Sequence, residues 1–169
     1  MQIHVALADL TELPVDAIVN PTNSLGVMSH GISIQILQAG GSAIEDEAKA
    51  SAPIAVGAAV VTTGGSLYAK QVIHVPTVEE PGARPNIESV RRATRAALIA
   101  AAARHLNTIG LPPIGVGSAQ VPDDEAARAM VDELRAHKQP MPTTIYLVAT
   151  SDILLQAFDA ALKNAVLPG

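Results

Sequence analysis

Short runs rich in Val and Ile alternate along the chain with segments whose apolar residues recur at helical spacing. "IHVALA" (3–8) and "DAIVN" (16–20) read as strands, with a turn holding Thr11 and Pro14 between them. A helix follows from near His30 to the pair Gly40 and Gly41, where glycine supplies the left-handed stop. Ser42 with Glu45 three residues on reads as a capping box that opens a second short helix through Lys49. "AAVVTT" (58–63) and "KQVIHVP" (70–76) are apolar strands joined through Gly64, Gly65 and Ser66, as a hairpin or as near neighbours. Residues 86–106 form a long helix that Asn86 caps, with Glu88 and Arg92 at pairing distance. "TIGLPPIG" (108–115) is a buried strand, 122–138 a helix, "TIYLVAT" (144–150) a strand and 152–165 a final helix. This alternation predicts a three-layer α/β/α sandwich around a mixed, mostly parallel sheet, the mixed part lying at the hairpin.

Composition narrows what such a domain does. At 169 residues and 49% hydrophobic, the chain is expected to form one domain over 1–169. Tyr68, Tyr146 and Phe158 are its only aromatics, so Ala, Val, Ile and Leu must fill the core. The absence of cysteine removes thiol nucleophiles and thiolate metal sites, and the five histidines show no ligand spacing. Neither a metal nor a cofactor is therefore expected. The longest apolar run, 96–103, lies between Arg95 and Arg104 and is too short to span a bilayer, so a cytoplasmic protein without membrane partners is the expectation. With net charge -5, no Lys or Arg before Lys49 and none between Asn107 and Ala127, a nucleic-acid polymer is a poor partner. An anion would have to be held mainly by backbone amides.

Two loops sit where strands of such a sheet deliver ligands. One is 20–31 and the other is "GVGSAQ" (115–120). The helix after the second opens with Pro122, Asp123, Asp124 and Glu125, so its positive end meets its own carboxylates. The helix after the first opens at Gly31 and Ile32 with no acid in its first turn, leaving that end open to an anion. No Gly-Lys-Ser/Thr ending and no strand-linked dinucleotide fingerprint occurs, which excludes a P-loop nucleotidase and a Rossmann site.

"ADLTELPVDAIVNPTNS", "MSHGIS", "AGGSAIEDEA", "PIAVGAAVVTTGGSLYAKQVIHVPT" and "GLPPIGVGS" occur in this order. Together they resemble successive segments of a macrodomain, the ADP-ribose-binding module, in its small stand-alone archaeal and bacterial form. The resemblance implies about six strands and a cleft for ADP-ribose or an ADP-ribosylated protein. Asp9 would accept from the adenine amino group, with the Leu10 backbone beside it. Asn20 and Asn23 match the asparagines after the second strand, and Asn23 would face the distal ribose. Ser29, His30, Gly31 and Ile32 match the loop against the diphosphate and distal ribose. Gly115, Val116, Gly117, Ser118 and Ala119 match the second phosphate loop.

The departures from the family pattern fall on this site. Ser29 and His30 stand where relatives carry glycines, and Ser118, Ala119 and Gln120 lack the usual aromatic shield. Ser33 stands where the hydrolase branch carries an Asp. Hydrolysis of ADP-ribosyl esters is thus expected to be weak, with Asn23 and His30 as the catalytic candidates. The alternative is a degenerate macrodomain whose remodelled cleft takes another nucleotide or serves as an interaction module. Plainer readings stand beside these roles: Asp9 as a turn former, Asn20 and Asn23 as loop braces, His30 as a solvent-facing helix start, and His74 as a hydrogen-bonded core residue.

Overall fold

The computed structural model describes residues 1–116 and 121–164. Its strands are β1 (Gln2–Leu7), β2 (Ala17–Asn23), β3 (Val60–Thr63), β4 (Gln71–Val78), β5 (Thr108–Leu111) and β6 (Thr144–Ala149). Its helices are α1 (Ile32–Gly40), α2 (Ser42–Ala50), α3 (Ile87–Ala103), α4 (Asp123–Ala136) and α5 (Asp152–Asn164), with one 3-10 turn at Leu10–Glu12. The strand order is β1-β6-β5-β2-β4-β3, parallel throughout except at the β3–β4 hairpin. The expected α/β/α sandwich with a mixed sheet is the architecture found.

Successive residues of β2 face opposite layers. Ala17 and Val19 pack with α3, α4 and α5 in the larger core, whereas Ile18 packs with Ile36 of α1 and Ile44 of α2 in the smaller one. Phe158 is the one fully buried aromatic among the described residues, and the other large buried side chains are aliphatic or Met130. The Asn20 and His74 pair continues the Ile18 face, so buried polar groups lie under α1 where apolar ones would otherwise pack.

The sheet opens at the carboxyl ends of its central strands. Pairing of β2 with β5 stops at Ile18 and Gly110, while pairing of β2 with β4 continues to Asn23. β5 ends at Leu111 and is followed by Pro112 and Pro113, which have no amide hydrogen to extend the ladder. From this point β2 leads to α1 on one face and β5 leads to α4 on the other. Such a switch in winding leaves a crevice between the two loops.

Several local expectations are corrected. α1 begins at Ile32, within two residues of the expected start, because Gly31 takes φ +58° and interrupts the helical path. The proposed capping box at Ser42 does not form: Gly41, at φ +99°, is the N-cap and makes no side-chain bond. Glu45 instead accepts from the Met28 amide at 2.7 Å and holds the 24–31 loop from below. Glu88 and Arg92 do not pair, since Arg92 donates to the Val56 carbonyl at 2.8 Å. The cap at Asn86 does form, and it is reciprocal with Ser89. "TIGLPPIG" is a strand only to Leu111, whereas β2 runs three residues beyond the 16–20 segment.

Candidate functional site

The crevice forms a cleft of about 680 Å³ whose wall includes Thr22, Asn23, His30, Gly31, Ser33, Thr77, Arg84 and Gly115. A second hollow, of about 490 Å³, shares Ile32, Gln35, Pro112 and Thr150 with it and reaches Asp9 and Leu10. The two make a continuous trough over the start of α1, of the size that holds an extended small molecule.

The first turn of α1 carries no acid, and among the described residues no carboxylate lines the larger cleft. Arg84, on the loop after β4, is exposed at the rim and has no ion pair among the described residues. A negative ligand therefore meets unopposed amide dipoles and one cation. By contrast, the start of α4 carries Asp123, Asp124 and Glu125.

The glycines on the two walls differ in purpose. Gly115 sits at φ +81°, and a Cβ there would run into Val90 of α3. Gly31 also has positive φ, but open space surrounds the place where its Cβ would lie. Gly115 thus brings backbone close to α3, while Gly31 only turns the chain into α1.

At the far end, Asp9 Oδ1 accepts from the Thr11 amide at 2.9 Å and from the Thr11 hydroxyl at 2.7 Å. This is the turn-forming role, and it leaves Oδ2 without a partner among the described residues. Leu10 is buried beside it. Asn23 also braces its own loop. Its Nδ2 donates to the Val27 carbonyl at 2.8 Å, and Oδ1 accepts from the Leu25 and Val27 amides at 3.1 and 3.2 Å. One N–H of Asn23 is left for the cleft.

Asn20 is fully buried and meets the cleft through Ser33, whose hydroxyl donates to Asn20 Oδ1 at 2.7 Å. On its other side the Asn20 amide lies 3.1 Å from His74 Nδ1. His74 is the hydrogen-bonded core histidine the sequence suggests, and burial lowers its pKa to about 4, so the ring is neutral. His30 is exposed, lies 2.8 Å from Ser29 Oγ through Nδ1, and sits across the mouth from Gly82. Ser29 reaches the wall only through that imidazole. Gly117, Ser118 and Ala119 lie outside the described residues, whereas Val116 lines the cleft.

Thr22, Thr77 and Thr150 escape a reading of the sequence, although each stands at or just past the carboxyl end of a parallel strand. That position is the signal that would have found them. Thr22 is only 7% exposed, and its hydroxyl has no hydrogen-bond partner among the described residues.

The profile of the Macro domain family matches residues 19–130. An uncharacterized protein of Aquifex aeolicus is 43% identical over 162 residues, covering 96% of this chain and 98% of that protein. A mutant Oceanobacillus iheyensis macrodomain solved with ADPR superposes with TM-score 0.84 at 19% identity, covering 96% of this chain and 92% of that one. The Trypanosoma brucei macrodomain in complex with ADP-ribose gives TM-score 0.84 at 21% identity, over 95% of this chain and 69% of that one. A family profile that spans most of the chain and a relative aligned along nearly its whole length lead to one conclusion: the chain belongs to the Macro domain family.

Proposed function

We propose that the trough binds ADP-ribose, free or attached to a protein, with adenine at the Asp9 end and the distal ribose at the Ser33 end. The observation that carries this reading is the continuous trough over the acid-free start of α1, closed at one end by the Asp9 carboxylate. The diphosphate would lie against the amides of Gly31 and Ile32 and the backbone at Gly115, with Arg84 at the rim. Two structural neighbours solved with this ligand support the reading. Titration calorimetry with ADP-ribose, ADP and AMP tests it. Saturable ADP-ribose binding is expected, and no saturation at millimolar ligand would overturn it.

Turnover of an ADP-ribosyl ester would be slow in this site. Ser33 does not ionise as a carboxylate does, so proton removal from an attacking water would fall to His30 or to the ligand's own phosphate. Asn23 would orient the sugar through its remaining N–H. A single-turnover assay on an ADP-ribosylated protein, with wild type and His30→Gly, checks this. Loss of turnover with binding retained would make His30 catalytic.

A remodelled cleft is the second reading, and the imidazole standing across the mouth from Gly82 favours it. On the ADP-ribose reading, His30→Gly widens the mouth and binds ADP-ribose at least as well as wild type. A folded His30→Gly variant that loses binding would make the imidazole a ligand contact.

A further inference from the structure

Ser33 is 2% exposed yet lines the cleft floor. Its hydroxyl has one hydrogen, and both groups within reach on the protein side are acceptors: Asn20 Oδ1 at 2.7 Å and the Pro21 carbonyl at 3.4 Å. The direction of the contacts behind it follows from the far end. Thr62 donates its hydroxyl hydrogen to the Thr63 carbonyl at 3.1 Å, and a carbonyl only accepts. With that hydrogen on the Thr63 carbonyl, Thr62 Oγ1 accepts from His74 Nε2, 2.8 Å away, the tautomer that the donor-only Asn20 Nδ2 beside Nδ1 also requires. With Nε2 protonated, the neutral ring offers a bare lone pair at Nδ1, which takes a hydrogen from the Asn20 amide at 3.1 Å. That turns Asn20 Oδ1 toward Ser33. Every hydrogen in the series points from the cleft toward β3, and Ser33 is left with only lone pairs facing the ligand.

We infer that His74, acting through Asn20, holds the Ser33 hydroxyl as a hydrogen-bond acceptor on the cleft floor, where it selects a ligand that ends in a sugar hydroxyl over one that ends in a bare phosphate. The inference rests on the ADP-ribose reading above. A sugar hydroxyl donates to Ser33, whose own hydrogen is already given to Asn20. A terminal phosphate brings acceptor oxygens against the Ser33 lone pairs and finds no hydrogen there. Ser33 contacts the ligand, whereas His74 and Asn20 are positioning residues.

The test compares ADP-ribose with ADP, which share everything but the distal sugar. Calorimetry is expected to show Ser33→Ala losing about tenfold in ADP-ribose affinity, with ADP changed less than about twofold. His74→Leu should lower the ADP-ribose preference as Ser33→Ala does, and the double variant should lower it no further. His74→Asn keeps an acceptor oxygen at the place of Nδ1 and should retain the preference. Nitrogen-15 spectra of the wild-type imidazole should show Nδ1 unprotonated and Nε2 carrying the hydrogen, a readout that stands even if His74→Leu fails to fold. A proton on Nδ1, equal or absent effects of Ser33→Ala on the two ligands, or additive losses in the double variant would each overturn the inference. Wild type without ADP-ribose affinity would overturn the proposed function and the selection together. Wild type that binds while Ser33→Ala is silent would overturn the selection alone.

Discussion

Asp9 serves two ends with two oxygens, and a substitution that separates them is informative. Asp9→Asn keeps an acceptor for the Thr11 amide and hydroxyl but removes the charge offered to the ligand. ADP-ribose affinity should fall by about 1.5–3 kcal/mol, the range for a hydrogen bond to a charged group, while the melting temperature stays near that of wild type. Calorimetry beside thermal denaturation checks both halves. Arg84 adds one cation to the backbone amides expected to hold most of an anion, since the loop after β4 carries it to the rim. It remains an exposed charge, so the salt dependence of ADP-ribose binding is expected to be gentle, and Arg84→Ala should weaken binding by only about 0.5–1 kcal/mol and flatten that dependence further. Titrations at low and high salt measure it. Arg91, on α3, pairs with Asp132 at 3.3 Å and does not line the cleft.

At the scale of elements, the two cleft glycines should respond differently to the same change. Gly115→Ala meets both a left-handed φ and the Val90 side chain, and should destabilise by about 2 kcal/mol or more. Gly31→Ala meets no clash, and its cost is the backbone strain of φ +58° and ψ -136° alone, about 1–3 kcal/mol. Urea unfolding of the two variants checks the order. The same pair explains what could be read from the chain. Strand and helix alternation survived because each element repeats its pattern over many residues, and Asp9, Gly31 and Gly115 stood out because they lie in ordered motifs. The start of α1 is legible to within two residues because Gly31, which takes the positive φ ahead of it, is the residue type that permits that turn. The Ser42 and Glu45 spacing misled because a carboxylate satisfies whichever amide folds nearest, here that of Met28. Thr22 and Arg84 were missed or left aside because strand packing and loop return, rather than spacing, bring them to one cleft.

For the molecule as a whole, the neutral His74 makes acid a denaturing condition. Its pKa is about 4 when folded against 6.5 for the free side chain, so between those values the unfolded chain takes up the proton first. The stabilisation is complete above about pH 6.5, is lost as pH falls toward 4, and totals roughly 3 kcal/mol. Unfolding by urea at pH 7, 5 and 4 should show this slope in wild type and lose it in His74→Asn. The early end of the β2–β5 ladder bears on mechanics as well. The β2–β5 ladder pairs only Ala17 and Ile18, with Asp16 bonded to Asn107 and Thr108 just ahead of it, so the three strands on either side of that junction resemble two leaves stitched at the spine. Helices span the back, and nothing from the sheet itself spans the open margin. A molecule lying along that margin would act as a clasp, joining the leaves where the backbone does not.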